Sequence, residues 1–273
     1  MLNRREVIKG YIALGGTTAA GREERQAITR NSTRRPEVLF FDSNETMLDL
    51  NWMKPQVTAA LGGMDLMELW FATMLQYSLV DTVTSNYHDF GVIGASCMRM
   101  IAEGHGLKLD EAKAHEAISA IKSLSVWPDV PPSLGKLKDA GFRLYTLTNS
   151  PAQVIEAQVR HAGIGRFFDG SLTVEGLNVY KPHPRVYRWA AHQVGVDVAN
   201  CMLIAAHGWD VAGATLAGMR AAFIARPGKS LYPLGPEIEI AAPSMSEIAD
   251  RLVAMPQYYK IRSVGKVASF QTR

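Results

Sequence analysis

Four apolar residues, Val38–Phe41, run without a break into Asp42, and three later stretches have the same build: Arg143–Thr148 (RLYTLT), Cys201–Ala206 (CMLIAA) and Ala221–Ala225 (AAFIA). Short apolar runs bounded by polar or turn-forming residues read as strands buried on both faces. Helical spacing follows at Pro151–Ala162, Asp210–Gly218 and Met245–Val253. Strands alternating with helices predict an α/β fold on a parallel, Rossmann-like sheet. Between Trp52 and Trp127 the alternation stops. Residues 64–83, 86–104 and 110–124 carry their apolar residues at helical intervals instead. The pattern predicts a core of residues 36–52 and 128–255, interrupted by a helical cap at 53–127. Such a cap would lie over the C-terminal edge of the strands, where ligands bind in these sheets. Residues 256–273 show no pattern and stay unassigned.

Composition changes this picture only at the N-terminus. Of 29 Lys and Arg and 26 acidic residues, the first 35 positions hold eight and three, so the remainder has net charge −2. A near-neutral body without a basic face excludes a nucleic-acid partner. The opening MLNRREVIKGYIALGGTTAAG puts Arg4 and Arg5 before a mildly apolar, glycine-rich run, with small residues Thr18 and Ala20 before Gly21. That resembles a twin-arginine export signal and is too short to span a bilayer. The expectation is a leader and linker over residues 1–35, a periplasmic protein with no membrane contact after export, and, failing export, a cytoplasmic one. Cys97 and Cys201 have no metal-like spacing and read as two buried free thiols.

Four places can carry chemistry. Asp42 should stand at the end of a central strand, with Thr46 four residues on; a carboxylate there caps the next turn or reacts. Thr148, Asn149 and Ser150 close a strand just before a helix, which makes either a cap or an anion seat. Lys181 precedes Pro182 in a turn that opens a helix, where its ammonium can reach the strand ends. Asp210 begins a small-residue helix, as an N-cap or as a second carboxylate.

In this order the motifs resemble the haloacid dehalogenase superfamily over about Glu37 to Val253, with Asp42 in the place of the nucleophile. Phosphatases of that superfamily have an acid two residues after the nucleophile and another four before the last Asp. Those places hold Asn44 and Ala206. Asn cannot protonate a leaving group, and two carboxylates beside a lysine make a poor Mg²⁺ site. The stretches LWFATMLQYSL and LTNSPAQVIEAQVRHAGI, with Phe90 and the Trp-Asp of GWD, are similar to the type II (S)-2-haloacid dehalogenases. The resemblance implies a hydrolase for short L-2-haloacids that uses water and neither metal nor cofactor. A phosphatase of the same fold is the alternative.

The resemblance also implies roles. Asp42 attacks C2 to give an aspartyl ester, which water then hydrolyses. Thr46 orients Asp42. Thr148 and the amides of Ser43 and Asn44 seat the substrate carboxylate, and Asn149 faces the halide. Lys181, steadied by Tyr187, keeps Asp42 ionised, and Asp210 handles the water. Phe90 and Trp209 form an apolar wall, and a homodimer through the cap helices is implied. Three departures stand out. Phe71 replaces the arginine that takes the halide in well-known members, Asn44 replaces a tyrosine, and Ala205 and His207 replace a serine and an asparagine. His207 is expected to orient water or to titrate near neutral pH.

Overall fold

The structure is a computed structural model that describes residues 34–256. The expected leader, apart from its last two residues, and the unassigned tail after Pro256 therefore lie outside the described residues. Six parallel strands form one sheet in the order β5-β4-β1-β6-β7-β8. They are β1 (Val38–Phe41), β4 (Arg143–Thr148), β5 (Gly170–Thr173), β6 (Cys201–Ala205), β7 (Arg220–Ile224) and β8 (Ile240–Ala242). β1 pairs on both sides, with Phe41 opposite Thr146 of β4 and Ile204 of β6. Both rows of its backbone groups are thereby satisfied, and all four side chains are buried. That is why the run is apolar throughout rather than alternating.

The chain leaves β1 towards β4 and β5 on one side and returns to β6, β7 and β8 on the other. The strand order therefore reverses at β1, which puts the crevice of such a sheet beyond Phe41. Between β1 and β4 come α1 (Lys54–Ala60), α2 (Met67–Thr84), α3 (Phe90–Gly104) and α4 (Glu111–Ser119). The three helical stretches read from spacing are α2, α3 and α4. Each of the last two starts on an aspartate cap: Asp89 accepts from the amides of Gly91 and Val92, Asp110 from that of Lys113. α2 and α3 meet closely. Trp70 Nε1 donates to the carbonyl of Gly94 at 2.8 Å, and a Cβ on Gly94 would stand 2.9 Å from Met74 Sδ.

A two-residue pairing of β2 (Leu48–Asp49) with β3 (Ser125–Val126) ties together the two chain crossings that flank these helices. Elements this short have no readable period, and neither they nor the edge strands β5 and β8 are expected from the sequence. The remaining helices are α5 (Val130–Asp139), α6 (Ala152–His161), α7 (Pro184–Gln193), α8 (Gly208–Leu216) and α9 (Met245–Ala254). β6 stops at Ala205, not Ala206, and β7 starts at Arg220, not Ala221. α8 starts at Gly208 rather than Asp210, because His207 takes the cap position and puts Asp210 inside the first turn. Cys97 and Cys201 are buried and unbridged.

Candidate active site

The turn after β1 presents Asp42 at the carboxyl end of the sheet, 6% exposed. Its neighbours come from elements far apart in the chain. Lys181, in the loop before α7 and 1% exposed, sets its Nζ 2.8 Å from Asp42 Oδ1, 2.6 Å from Asp210 Oδ2 and 3.0 Å from the carbonyl of Leu147. An ammonium has three protons, so these three acceptors saturate it and offset the cost of burying it. The Lys181–Pro182 peptide is cis. Thr46 donates its hydroxyl to Asp42 Oδ2 at 2.7 Å and accepts the Ala206 amide at 2.9 Å.

Charges decide the protonation of the carboxylates. Burial alone would raise the Asp42 pKa, but Lys181 and His207 outweigh it and hold the group well below the usual carboxylate range. Burial pushes Asp210 up, with help from the negative charge of Asp42 and against Lys181 and Tyr187. Lys181 is itself raised: burial works against its charge, and the two carboxylates prevail.

Nine of the residues expected from the sequence line one narrow cavity of ≈ 20 Å³: Asp42, Asn44, Phe71, Phe90, Thr148, Asn149, Lys181, His207 and Trp209. Phe71 reaches it from α2 and Phe90 from α3. Ser43, Thr46, Tyr187 and Asp210 lie behind this wall, fully buried. Leu75 also lines the cavity, and a wider cleft of ≈ 750 Å³ shares Phe71, Leu75, His207 and Trp209 with it. Those four side chains thus stand between the open cleft and Asp42.

Several roles need correction. Tyr187 does not steady Lys181; its hydroxyl donates to Asp210 Oδ1 at 2.6 Å. It can approach because α8 carries Gly213 where a Cβ would meet Pro182 Cβ at 2.4 Å and the Tyr187 hydroxyl at 2.9 Å. Asn44 turns both polar atoms of its side chain away from Asp42, Nδ2 to Ser150 Oγ and Oδ1 to Gln158 Nε2. Its side chain therefore ties the turn to α6. Thr148 Oγ1 accepts the Ser150 amide at 3.1 Å and keeps its proton to donate. Asn149 Oδ1 accepts the Lys181 amide at 3.0 Å, while its Nδ2 is buried without a partner. His207 does not titrate near neutral pH. Burial would lower it, but the Asp42 and Glu45 carboxylates at its two nitrogens raise it to about 9.

Three contributors are missed in the sequence. Glu45 accepts from His207 Nε2 at 2.8 Å and pairs with Lys229 at 2.6 Å. Arg226, 7% exposed, donates to the Thr46 carbonyl from Nε and Nη2 and to Asp129 Oδ2 from Nη1. Asp129 also accepts the Met245 amide, so this clamp joins the Thr46 turn to the starts of α5 and α9. The one signal for Glu45 is an acid in the turn directly after the reactive-looking Asp; Arg226 and Lys229 have none, being ordinary loop residues until the chain folds.

Comparison with known proteins identifies the family. The family model of haloacid dehalogenase-like hydrolases matches residues 36–218. The (S)-2-haloacid dehalogenase of Pseudomonas sp. (strain YL) is 30% identical over 208 residues, 75% of this chain and 90% of that one. (S)-2-haloacid dehalogenase 1 of Pseudomonas sp. (strain CBS-3) is 28% identical over 220 residues, 80% of this chain and 96% of that one. A crystal structure of a dehalogenase with an intermediate complex superposes with a TM-score of 0.74 at 27% identity, covering 81% of this chain and 98% of that one.

Proposed function

The chain belongs to the haloacid dehalogenase-like hydrolases, in the (S)-2-haloacid dehalogenase family, and from that premise we propose that it hydrolyses short L-2-haloalkanoic acids to 2-hydroxyacids. The observation that carries the reading is a nucleophile kept ionised by Lys181 and oriented by Thr46, with Asn44 and Ala206 where a phosphoryl-transferring relative needs acids. In the first half-reaction a carboxylate oxygen of Asp42 bonds to C2 as the C2–halogen bond breaks, the electron pair leaving with the halide. The product on the enzyme is a neutral ester.

In the second half-reaction water adds to the ester carbonyl of Asp42, and the 2-hydroxyacid leaves with its oxygen bonded to C2. Asp210 is the group assigned to the water's proton, since a carboxyl raised above its ordinary range accepts a proton closer to neutrality. Phe71, Phe90 and Trp209 keep the cavity apolar, which strengthens every charge interaction inside it. The narrowness of the cavity supports short substrates.

The test is halide release from chloro- and bromoacetate and from both 2-chloropropionate enantiomers, with and without chelator, beside phosphate release from phosphomonoesters with Mg²⁺. Halide release indifferent to chelator, lost in Asp42→Asn, is the expected result. A trapped turnover should add the acyl mass to the peptide holding Asp42. Phosphate release with no halide release would sink the assignment.

A further inference from the structure

If Asp42 expels a halide, something in the cavity must receive it. Lys181 is held back, because two of its protons stay on Asp210 and the Leu147 carbonyl and its charge stays paired with Asp210 when Asp42 is esterified. Asn44 Nδ2 is turned to Ser150. Besides the Thr148 hydroxyl, two buried lining donors have no acceptor: Asn149 Nδ2 and His207 Nδ1. His207 Nδ1 is 3.2 Å from Asp42 Oδ2, ion-pair distance, but off the line of a hydrogen bond. Only the histidine can bring a positive charge.

The geometry points to a Glu45–His207 pair as the cationic seat of the leaving halide, with Glu45 the residue that positions and charges the imidazole. This rests on the dehalogenase reading above and extends it to two residues. Glu45 has a left-handed backbone (φ 60°), disfavoured for any residue but glycine. An outlier of that kind next to a nucleophile suggests use. The conformation carries the Glu45 carboxylate, 19% exposed, back to His207 Nε2. With carboxylates at both nitrogens the ring holds two protons. Although His207 occupies the cap position of α8, its side chain makes no cap bond and is left for this pairing. Phe71 and Trp209 hold the ring in place, their centroids 6.2 and 5.1 Å from it.

The charges around the ring are complete. Asp42 faces it from the end of β1 and Glu45 from the following turn. Lys229, beyond β7, pairs with Glu45, and Lys181 with Asp210 lies on the far side of Asp42. α2 brings Phe71 and Leu75 to the cavity and its one nearby charge, Glu68, to the adjoining cleft, outside these pairs. The three acids and three cations sum to zero before an anionic substrate enters. As the C2–halogen bond breaks, the negative charge passes from Asp42 to the halide, and Asp42 stops being a partner for His207. The imidazolium then donates an Nδ1–H hydrogen bond to the halide, with no proton transferred. A fixed cation aimed at developing charge needs little reorganisation.

The seat is tested on the full chain by titrating bromide against tryptophan fluorescence from pH 7 to 10.5, in wild type, Glu45→Gln and His207→Asn. Side-chain NMR follows the His207 titration, and halide release gives the pH profile of kcat/KM. Wild-type bromide affinity should hold to about pH 9 and then fall about tenfold per unit as the imidazolium is lost. In Glu45→Gln the His207 midpoint and the alkaline limb should move to lower pH together, with bromide bound about tenfold more weakly at pH 8. His207→Asn should bind bromide weakly at every pH. Wild-type affinity flat to pH 10.5, or a Glu45→Gln midpoint unchanged from wild type, overturns the seat; the wild-type arm decides even if a variant fails to fold. Halide release with pH-independent bromide binding overturns the seat alone, whereas the expected bromide titration without any halide release overturns the dehalogenase reading alone.

Discussion

Thr46 uses one hydroxyl twice, as donor to Asp42 and as acceptor of the Ala206 amide, while its carbonyl is clamped by Arg226. Replacing it by valine keeps the shape and removes both bonds, leaving a buried amide unpaired at a cost of about 1–3 kcal/mol. Thr46→Val should therefore lower both kcat and the melting temperature, and Thr46→Ser should restore most of each; equal activity in all three proteins would remove Thr46 from the site. At this scale the sequence was most legible where a residue's chemistry is strange for its place. A carboxylate ending a buried strand, or a lysine before a proline at strand ends, has few structural uses. Glu45 and Arg226 show the opposite case. A glutamate in a turn and an arginine in a loop are ordinary until folding brings His207 and the Thr46 carbonyl to them. Position alone marks Tyr187, but only the fold sets its hydroxyl on Asp210 rather than on Lys181.

Among the elements, α8 does the most to set the site. Its cap residue is His207, its first turn holds Asp210, and its Gly213 faces Pro182 and Tyr187. A methyl at Gly213 would overlap Pro182 and push the Tyr187 hydroxyl from Asp210. Overpacking of this kind costs about 1–3 kcal/mol. Gly213→Ala should thus lose stability by denaturant titration and also lose turnover, while Ala214→Gly, one position on, should lose stability alone. Wild-type kinetics in Gly213→Ala would show that the loop and α8 can part without consequence. Long elements were readable because they repeat their period: α2, α3, α4 and the four inner strands all appear where apolar spacing puts them, within a few residues. β2, β3, β5 and β8 were not, since two of them hold only two residues and the edge strands β5 and β8 lack the unbroken buried run of β1; pairing with a neighbour makes them strands.

Across the whole molecule, the start and end of the described chain are joined at the edge opposite the site. The Arg35 amide donates to the Pro256 carbonyl, its guanidinium reaches the Ala140 carbonyl at 2.8 Å, and it lies 4.2 Å over the Phe142 ring. Arg35, assigned by the sequence to the leader, is therefore part of the folded body. Arg35→Ala should reduce stability by about 1–2 kcal/mol with kcat unchanged, because β1 separates it from Asp42; a fall in kcat at full folding would reveal coupling along that strand. By itself the sequence determined what is local or periodic: the parallel α/β core, the helices inserted between its first two central strands, and the ordered set Asp42, Thr46, Asn149, Lys181 and Asp210. Only the tertiary structure decided which partner each group takes, and with it which charges are held. Protonation depends on distances across turns far apart in the chain, and no spacing along the sequence encodes them. That is why His207, ambiguous as a letter in AAHGWD, becomes a cation once Asp42 and Glu45 stand at its two nitrogens.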